Sequence, residues 1–150
     1  MPAFHYPAYI DRPGGDEILV SFPDFPEALT GANSIDEAYR LAEDALDEAV
    51  LSRLAAGEPV PAPGSVFGGR TSILIPLDPV TAARVAISEA MADRHMSKTA
   101  LALLMHKDEK VVRRILDGRQ NVAMDTAMEA LHALGYRATL QIDARDEIEA

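Results

Sequence analysis

Phe22-Pro23-Asp24-Phe25-Pro26-Glu27-Ala28-Leu29-Thr30-Gly31, followed after two residues by Ser34-Ile35-Asp36-Glu37-Ala38, is the stretch whose reading decides the fold. Proline cannot donate to a strand ladder, so Pro23-Asp24-Phe25-Pro26 breaks the extended run that ends at Phe22. A short strand is expected from Ala28 to Ala32. Ser34 and Glu37 have capping-box spacing: the Ser34 hydroxyl can accept from the Glu37 backbone N–H, and the Glu37 side chain can reach back. The order strand, turn, strand, capped helix follows.

Upstream, Phe4 to Ile10 is rich in aromatics and reads as a strand, with Pro7 favouring an edge or a bulge. Arg12 to Asp16 is a turn, and Glu17 to Phe22 completes a hairpin. Downstream, the helix should run to about Ala56. Ala38, Leu41, Ala42, Ala45, Leu46, Ala49 and Val50 recur at helical spacing and build one apolar face. Asp36, Glu37, Arg40, Glu43, Asp44, Asp47 and Glu48 occupy the other. Gly57 suits the left-handed position past the helix. Pro59, Pro61 and Pro63, then Gly64, Gly68 and Gly69, mark residues 57 to 70 as a connection. Thr71 to Pro76 reads as a strand returning to the first sheet. A domain of residues 1–76, a sheet with one covered face, is expected.

Residues 77–150 read as helical. Asp78-Pro79 is an N-cap followed by proline at the first helical position, starting a helix to about Arg94. Ser97 can cap a helix from Lys98 to Met105. After His106-Lys107-Asp108, a third covers Glu109 to Leu116 and stops at Gly118. A fourth spans roughly Val122 to Leu134 and ends at Gly135. Tyr136 to Ile142 alternates as a strand does. A lone strand needs a partner edge, which a two-fold mate can supply. The tail from Asp143 to Ala150 is polar. The class is α+β.

The chain has 150 residues and a formal net charge of −10. The distribution is uneven. Residues 1–70 hold four basic and twelve acidic side chains. Residues 94–119 hold seven basic ones, Arg94, Lys98, Lys107, Lys110, Arg113, Arg114 and Arg119, against Asp108, Glu109 and Asp117. An acidic half and a basic island compete with a plain reading of scattered, solvated charge. Absence of cysteine excludes disulfides and thiolate metal sites and suits a reducing, cytoplasmic setting. The N-terminus lacks the pattern of a signal peptide, and no run of about 18 apolar residues predicts a membrane span.

Two short helices joined by a tight turn can bind DNA if they pack closely and the second carries donors on its outer side. Leu101, Ala102 and Met105 fit the inner face of the first, and Val112 and Ile115 that of the second. Lys110, Arg113 and Arg114 then point outward, with Asp108 and Glu109 at the leading end. Ser97 and Lys98, at a helix N-terminus, are candidate phosphate contacts, as are Lys107 and Arg119. Gln120 and Asn121 follow and can touch backbone. Arg113 can read guanine or hold a phosphate. The competing reading is a plain four-helix domain with a solvated basic face. Lys98 to Leu116 resembles the XRE/Cro-like helix-turn-helix family. That family usually has glycine at the turn, where this chain has His106, and an apolar residue where it has Lys107.

The opening stretch, continued by Asp44-Ala45-Leu46-Asp47, resembles the HicB family over roughly residues 4 to 76. That resemblance implies a partial RNase H-like fold without nuclease activity. It also implies a HicA-like toxin partner, an mRNA-cleaving ribonuclease to be bound and blocked, and operator DNA bound by the C-terminal half for autorepression. A homodimer or tetramer, helped by the terminal strand, is expected. An acidic unit can cover a basic RNA-binding surface, steered by charge. Candidate toxin contacts are Asp24, Phe25, Glu27, Leu29, Glu43 and Asp47. Phe25 competes with a core role, and the helix carboxylates with simple solvation.

Other classes fit less well. Asp11, Asp16, Asp24 and Glu27 make a poor two-metal nuclease set, because most fall in turns and not on adjacent strands facing one point. His5, His95, His106 and His132 show no metal-ligand spacing. No catalytic set, metal or cofactor is expected. The runner-up is a transcription regulator whose N-terminal domain senses a small ligand.

Overall fold

The computed structural model describes residues 4–66 and 68–145. The chain divides into two compact units. One holds residues up to Val50, Pro61–Asp78 and the chain from Asp143 onward; the other holds Leu51–Val60 and Pro79–Ile142. The division thus departs from a single cut after residue 76 at the last turns of the first helix and at the tail.

The first unit is a four-stranded antiparallel sheet, β1 (His5–Gly14), β2 (Glu17–Phe22), β3 (Phe25–Ala32) and β4 (Ser72–Pro76), in the order β3-β2-β1-β4. Its long helix is α1 (Ile35–Ala56). Pro7 lies in an interior strand, against the expectation of an edge or bulge. The hydrogen bonds explain how. Ile10 N–H donates to the Thr71 carbonyl at 3.0 Å and Leu77 N–H to the Phe4 carbonyl at 2.9 Å. Even-numbered residues of β1 therefore bond toward β4, and the Pro7 nitrogen points the other way. On that side the Tyr9–Ser21 register would set Pro23 opposite, one residue past the end of β2, so no ladder bond is lost. The break after Phe22 is also shorter than expected. Only Pro23 and Asp24 form the turn, Phe25 pairs with Phe22, and Pro26 is tolerated because β3 is an edge strand.

Strand alternation buries Ile18, Val20, Ala28 and Ala32 on one face and leaves Leu29 on the other. The α1 stripe Ala38, Tyr39, Ala42, Leu46, Ala49 and Val50 is buried with that face. Tyr39 replaces Leu41 and Ala45 in the expected stripe, because the inward direction runs through 39, 42 and 46. The Arg145 guanidinium lies 5.3 Å from the Tyr39 ring centre. Ser34 caps α1 as expected, accepting from Glu37 N–H at 3.2 Å. The proline run is tied to the sheet by the Tyr6 hydroxyl, which donates to the Pro61 carbonyl at 2.6 Å.

The second unit contains α2 (Pro79–Asp93), α3 (Lys98–Met105), α4 (Glu109–Leu116) and α5 (Met124–Ala133). Ile87, Leu101, Val112, Ile115, Ala127 and Ala130 are fully buried or nearly so in one apolar core. Each large side chain among them contributes about 1.5–3 kcal/mol by leaving water. The ends of α1, α2, α3 and α5 share one device, whereas α4 ends at Asp117 in extended backbone. Gly57, His95, His106 and Gly135 all have positive φ. The residue after each bonds through its N–H to a carbonyl of the last helical turns: Glu58 to Arg53, Met96 to Met91, Lys107 to Ala102, and Tyr136 to Leu131. This is the Schellman closure, which satisfies carbonyls left open at a helix end.

In the single chain residues 136–142 form no strand ladder with another segment, so the expected terminal strand is absent from the chain taken alone. They are exposed throughout. Alternation of side chains is not enough; a strand exists only where another edge meets its backbone. The expected polar tail lies outside the described residues beyond Arg145.

Candidate nucleic-acid interface

The α3–α4 pair is assembled by local chemistry at each end. Ser97 accepts from Ala100 N–H at 3.1 Å and starts α3. His106 (φ 56, ψ 41) closes it. Histidine thus takes the left-handed place that glycine usually fills, and the tight turn forms without glycine. Asp108 then accepts from Lys110 N–H at 2.9 Å and starts α4. Leu101, Ala102 and Met105 face Val112 and Ile115 in the core, as the spacing predicts.

Lys110, Arg113 and Arg114 are exposed on the opposite side of α4. Arg113 donates to Glu109 at 3.1 Å, an i,i+4 pair that preorders its guanidinium. Lys98 is exposed beside the Ser97 cap. Lys107 reaches Glu129 on α5 at 3.6 Å. Arg119 is folded back on Asp117, whose carboxylate accepts from Arg119 N–H at 3.1 Å and from its Nε at 3.0 Å. These bonds, the backbone one first, hold the Asp117 carboxyl below its ordinary range. Asp108 serves as a cap. Ser97, Lys98, Lys110, Arg113 and Arg114 stand at the start of α3 and along one side of α4.

The candidate toxin contacts do not form one group. Phe25 is fully buried, its ring edge-to-face with Tyr6 at 5.1 Å, so it is a core residue and not an exposed anchor. Asp24 accepts from Gly64 N–H at 3.0 Å and pins the proline run. Glu27 and Leu29 are exposed on β3, Leu29 at 65%. Glu43 and Asp47 lie on α1, which belongs to the other side of the sheet; Glu43 meets Arg145 at 4.0 Å. Asp11 is bonded to Arg70 at 2.9 Å, and that guanidinium stacks 3.7 Å from the Tyr9 ring centre.

Two residues stand out in the structure that sequence reasoning does not single out. Arg84 on α2 is 4% exposed. Its signal is an arginine at positions i, i+3 and i+7 with Ile87 and Met91. Gly118 lies against the backbone of Leu51, with no room for a Cβ. Nothing local in the sequence marks that approach.

Residues 5–86, the sheet, α1 and the start of α2, match the model of a family described as the HicB_like antitoxin of bacterial toxin-antitoxin systems. The chain belongs to the HicB-like antitoxin family. It is 33% identical over 138 residues to antitoxin HicB 1 of Photorhabdus laumondii, covering 92% of this chain and 86% of that one. It is 27% identical over 135 residues to antitoxin HicB of Escherichia coli K12, covering 90% and 96%. Among solved structures, the N-terminal domain of Burkholderia pseudomallei antitoxin HicB matches with a TM-score of 0.44 and 22% identity, over 49% of this chain and 98% of that one. Among the described residues of this HicB-like chain, no helix is long and apolar enough to cross a membrane.

Proposed function

We propose that this chain is an antitoxin that binds and inhibits a HicA-like, mRNA-cleaving toxin through its sheet unit and represses its own operon through its helical unit. What carries the reading is that similarity to the Photorhabdus antitoxin runs through 92% of the chain, so it includes both units. The acidic sheet unit would cover a basic RNA-binding surface by occlusion and charge, with no catalysis of its own and no cofactor. Glu27 and Leu29 are proposed contacts on the open face, and Glu43 and Asp47 on α1. The α4 helix would enter the major groove of operator DNA, with Arg113, Arg114 and Lys110 as its donors and Ser97 and Lys98 on phosphates. The working form would be a cytoplasmic homodimer or tetramer matched to a two-fold operator.

The test begins beside the gene. A short basic reading frame there is co-expressed with this chain. A stable complex that abolishes the partner's toxicity supports the proposal, together with a gel shift on the DNA upstream of the gene. A toxic partner that this chain neither binds nor neutralises overturns it.

A further inference from the structure

Arg84 is a buried cation, and a buried guanidinium is costly unless its donors are met. Nη1 donates to the Asp117 carbonyl at 3.0 Å, and Nη2 donates to the Gln120 carbonyl. Both acceptors lie in the loop that leaves α4. Asp117 is the C-cap of that helix, so the guanidinium also sits at the negative end of its dipole. A planar fork suits two diverging carbonyls; an ammonium does not span them in the same way.

The same loop is held twice more. Gly118 rests on the Leu51 backbone, and the Asp117 carboxylate takes Arg119 N–H, Arg119 Nε and Gln120 Nε2 at 3.0–3.1 Å. Its outer side presents Arg119, Gln120 and Asn121 to solvent, directly after α4. Loops usually carry few buried contacts and vary in shape. This one has a buried arginine from another helix beneath its backbone.

We infer that Arg84 is a positioning residue for nucleic-acid binding, fixing the 117–121 loop so that Arg119, Gln120 and Asn121 meet the DNA backbone beyond the recognition helix. Arg84 itself touches no DNA. The inference rests on the DNA-binding reading proposed above.

The experiment measures binding of the full chain to duplex DNA from upstream of its gene and to a scrambled duplex of equal length, over a range of salt. Variants are Arg84→Lys, Arg119→Ala and the double variant, each checked for helix content by circular dichroism. Arg84→Lys is expected to bind both duplexes roughly tenfold more weakly, with a salt slope shallower by about 0.9 for each phosphate that the loop no longer neutralises. Arg119→Ala should cost less in the Arg84→Lys background than in the wild type, because both act on one contact. A folded Arg84→Lys variant with wild-type affinity and slope, or full additivity, overturns the positioning role alone. If Arg84→Lys does not fold, the same readouts on Arg84→Gln decide. A wild-type chain that binds neither duplex overturns the DNA-binding reading, and this inference with it.

Discussion

Replacing Gly118 with alanine tests how tightly the α4–α5 loop is seated. The added Cβ would lie 2.9 Å from the Leu51 carbonyl carbon and 3.0 Å from its Cα, and closer still to its oxygen. Ordinary contact begins near 3.4 Å. The obstacle is helical backbone, not a side chain that can swing aside. Either the last turns of α1 or the loop must move by about half an ångström or more, and overpacking of this kind costs about 1–3 kcal/mol. Each kcal/mol corresponds to about 2–4 °C in Tm for a chain of this size. Equilibrium urea unfolding, followed by circular dichroism, measures the loss. Gly68→Ala is the control: its Cβ meets nothing within 4 Å and its φ is not positive, so it should cost nothing and can add about 0.4–1 kcal/mol. A Gly118→Ala variant within about 0.5 kcal/mol of wild type, the ordinary range for a neutral substitution, would refute the close approach.

Glycine at position 106 should be tolerated and should stabilise by up to about 1 kcal/mol, since it relieves left-handed strain but loses more chain entropy; His106→Val should destabilise, and thermal melts of both check this. Glu89 is exposed, yet partial desolvation against the protein surface, then the nearby Asp93, raises its pKa above 4.5, so its charged form weakly opposes folding at neutral pH, discounted by solvent screening. Glu89→Gln should therefore raise stability at pH 7, with the gain fading as pH falls through the raised pKa toward 4.5, as urea midpoints at several pH values would record. Arg113→Ala should weaken operator binding by about 1–3 kcal/mol if it reads a base; if it holds a phosphate, the loss is uniform across sequences and the salt slope falls. No change on any DNA would remove α4 as the recognition helix. Phe25→Ala should cost about 3–5 kcal/mol in unfolding experiments, whereas Leu29→Ala should leave stability nearly unchanged and weaken toxin capture in a pull-down.

Much of the fold was legible because its signals are local. The Ser34 and Ser97 caps and the Pro79 start each act within a few residues, and α1, α3 and α4 begin and end where the sequence places them, although the Asp108 cap of α4 was seen only in the structure. The inner faces of α3 and α4 follow from helical spacing, and with them the outward direction of Lys110, Arg113 and Arg114. The order of strands and helix in the sheet unit was readable for the same reason.

What the tertiary structure alone decided depends on partners distant in the chain. Phe25 reads equally as anchor or core until Tyr6 is seen against its ring. Pro7 looks like an edge residue until the register shows its nitrogen pointing past the end of β2. Asp24 looks free until Gly64, 40 residues on, comes to its carboxylate. Tyr136 to Ile142 has strand alternation but no strand in the single chain, because pairing belongs to two segments and not to one. Gly118 carries no local signal of its task, and the helical spacing that groups Arg84 with Ile87 and Met91 says nothing of the loop it holds. Helix caps and faces are set by neighbours in sequence; burial, register and the seating of the α4–α5 loop are set by which distant segments the fold brings together.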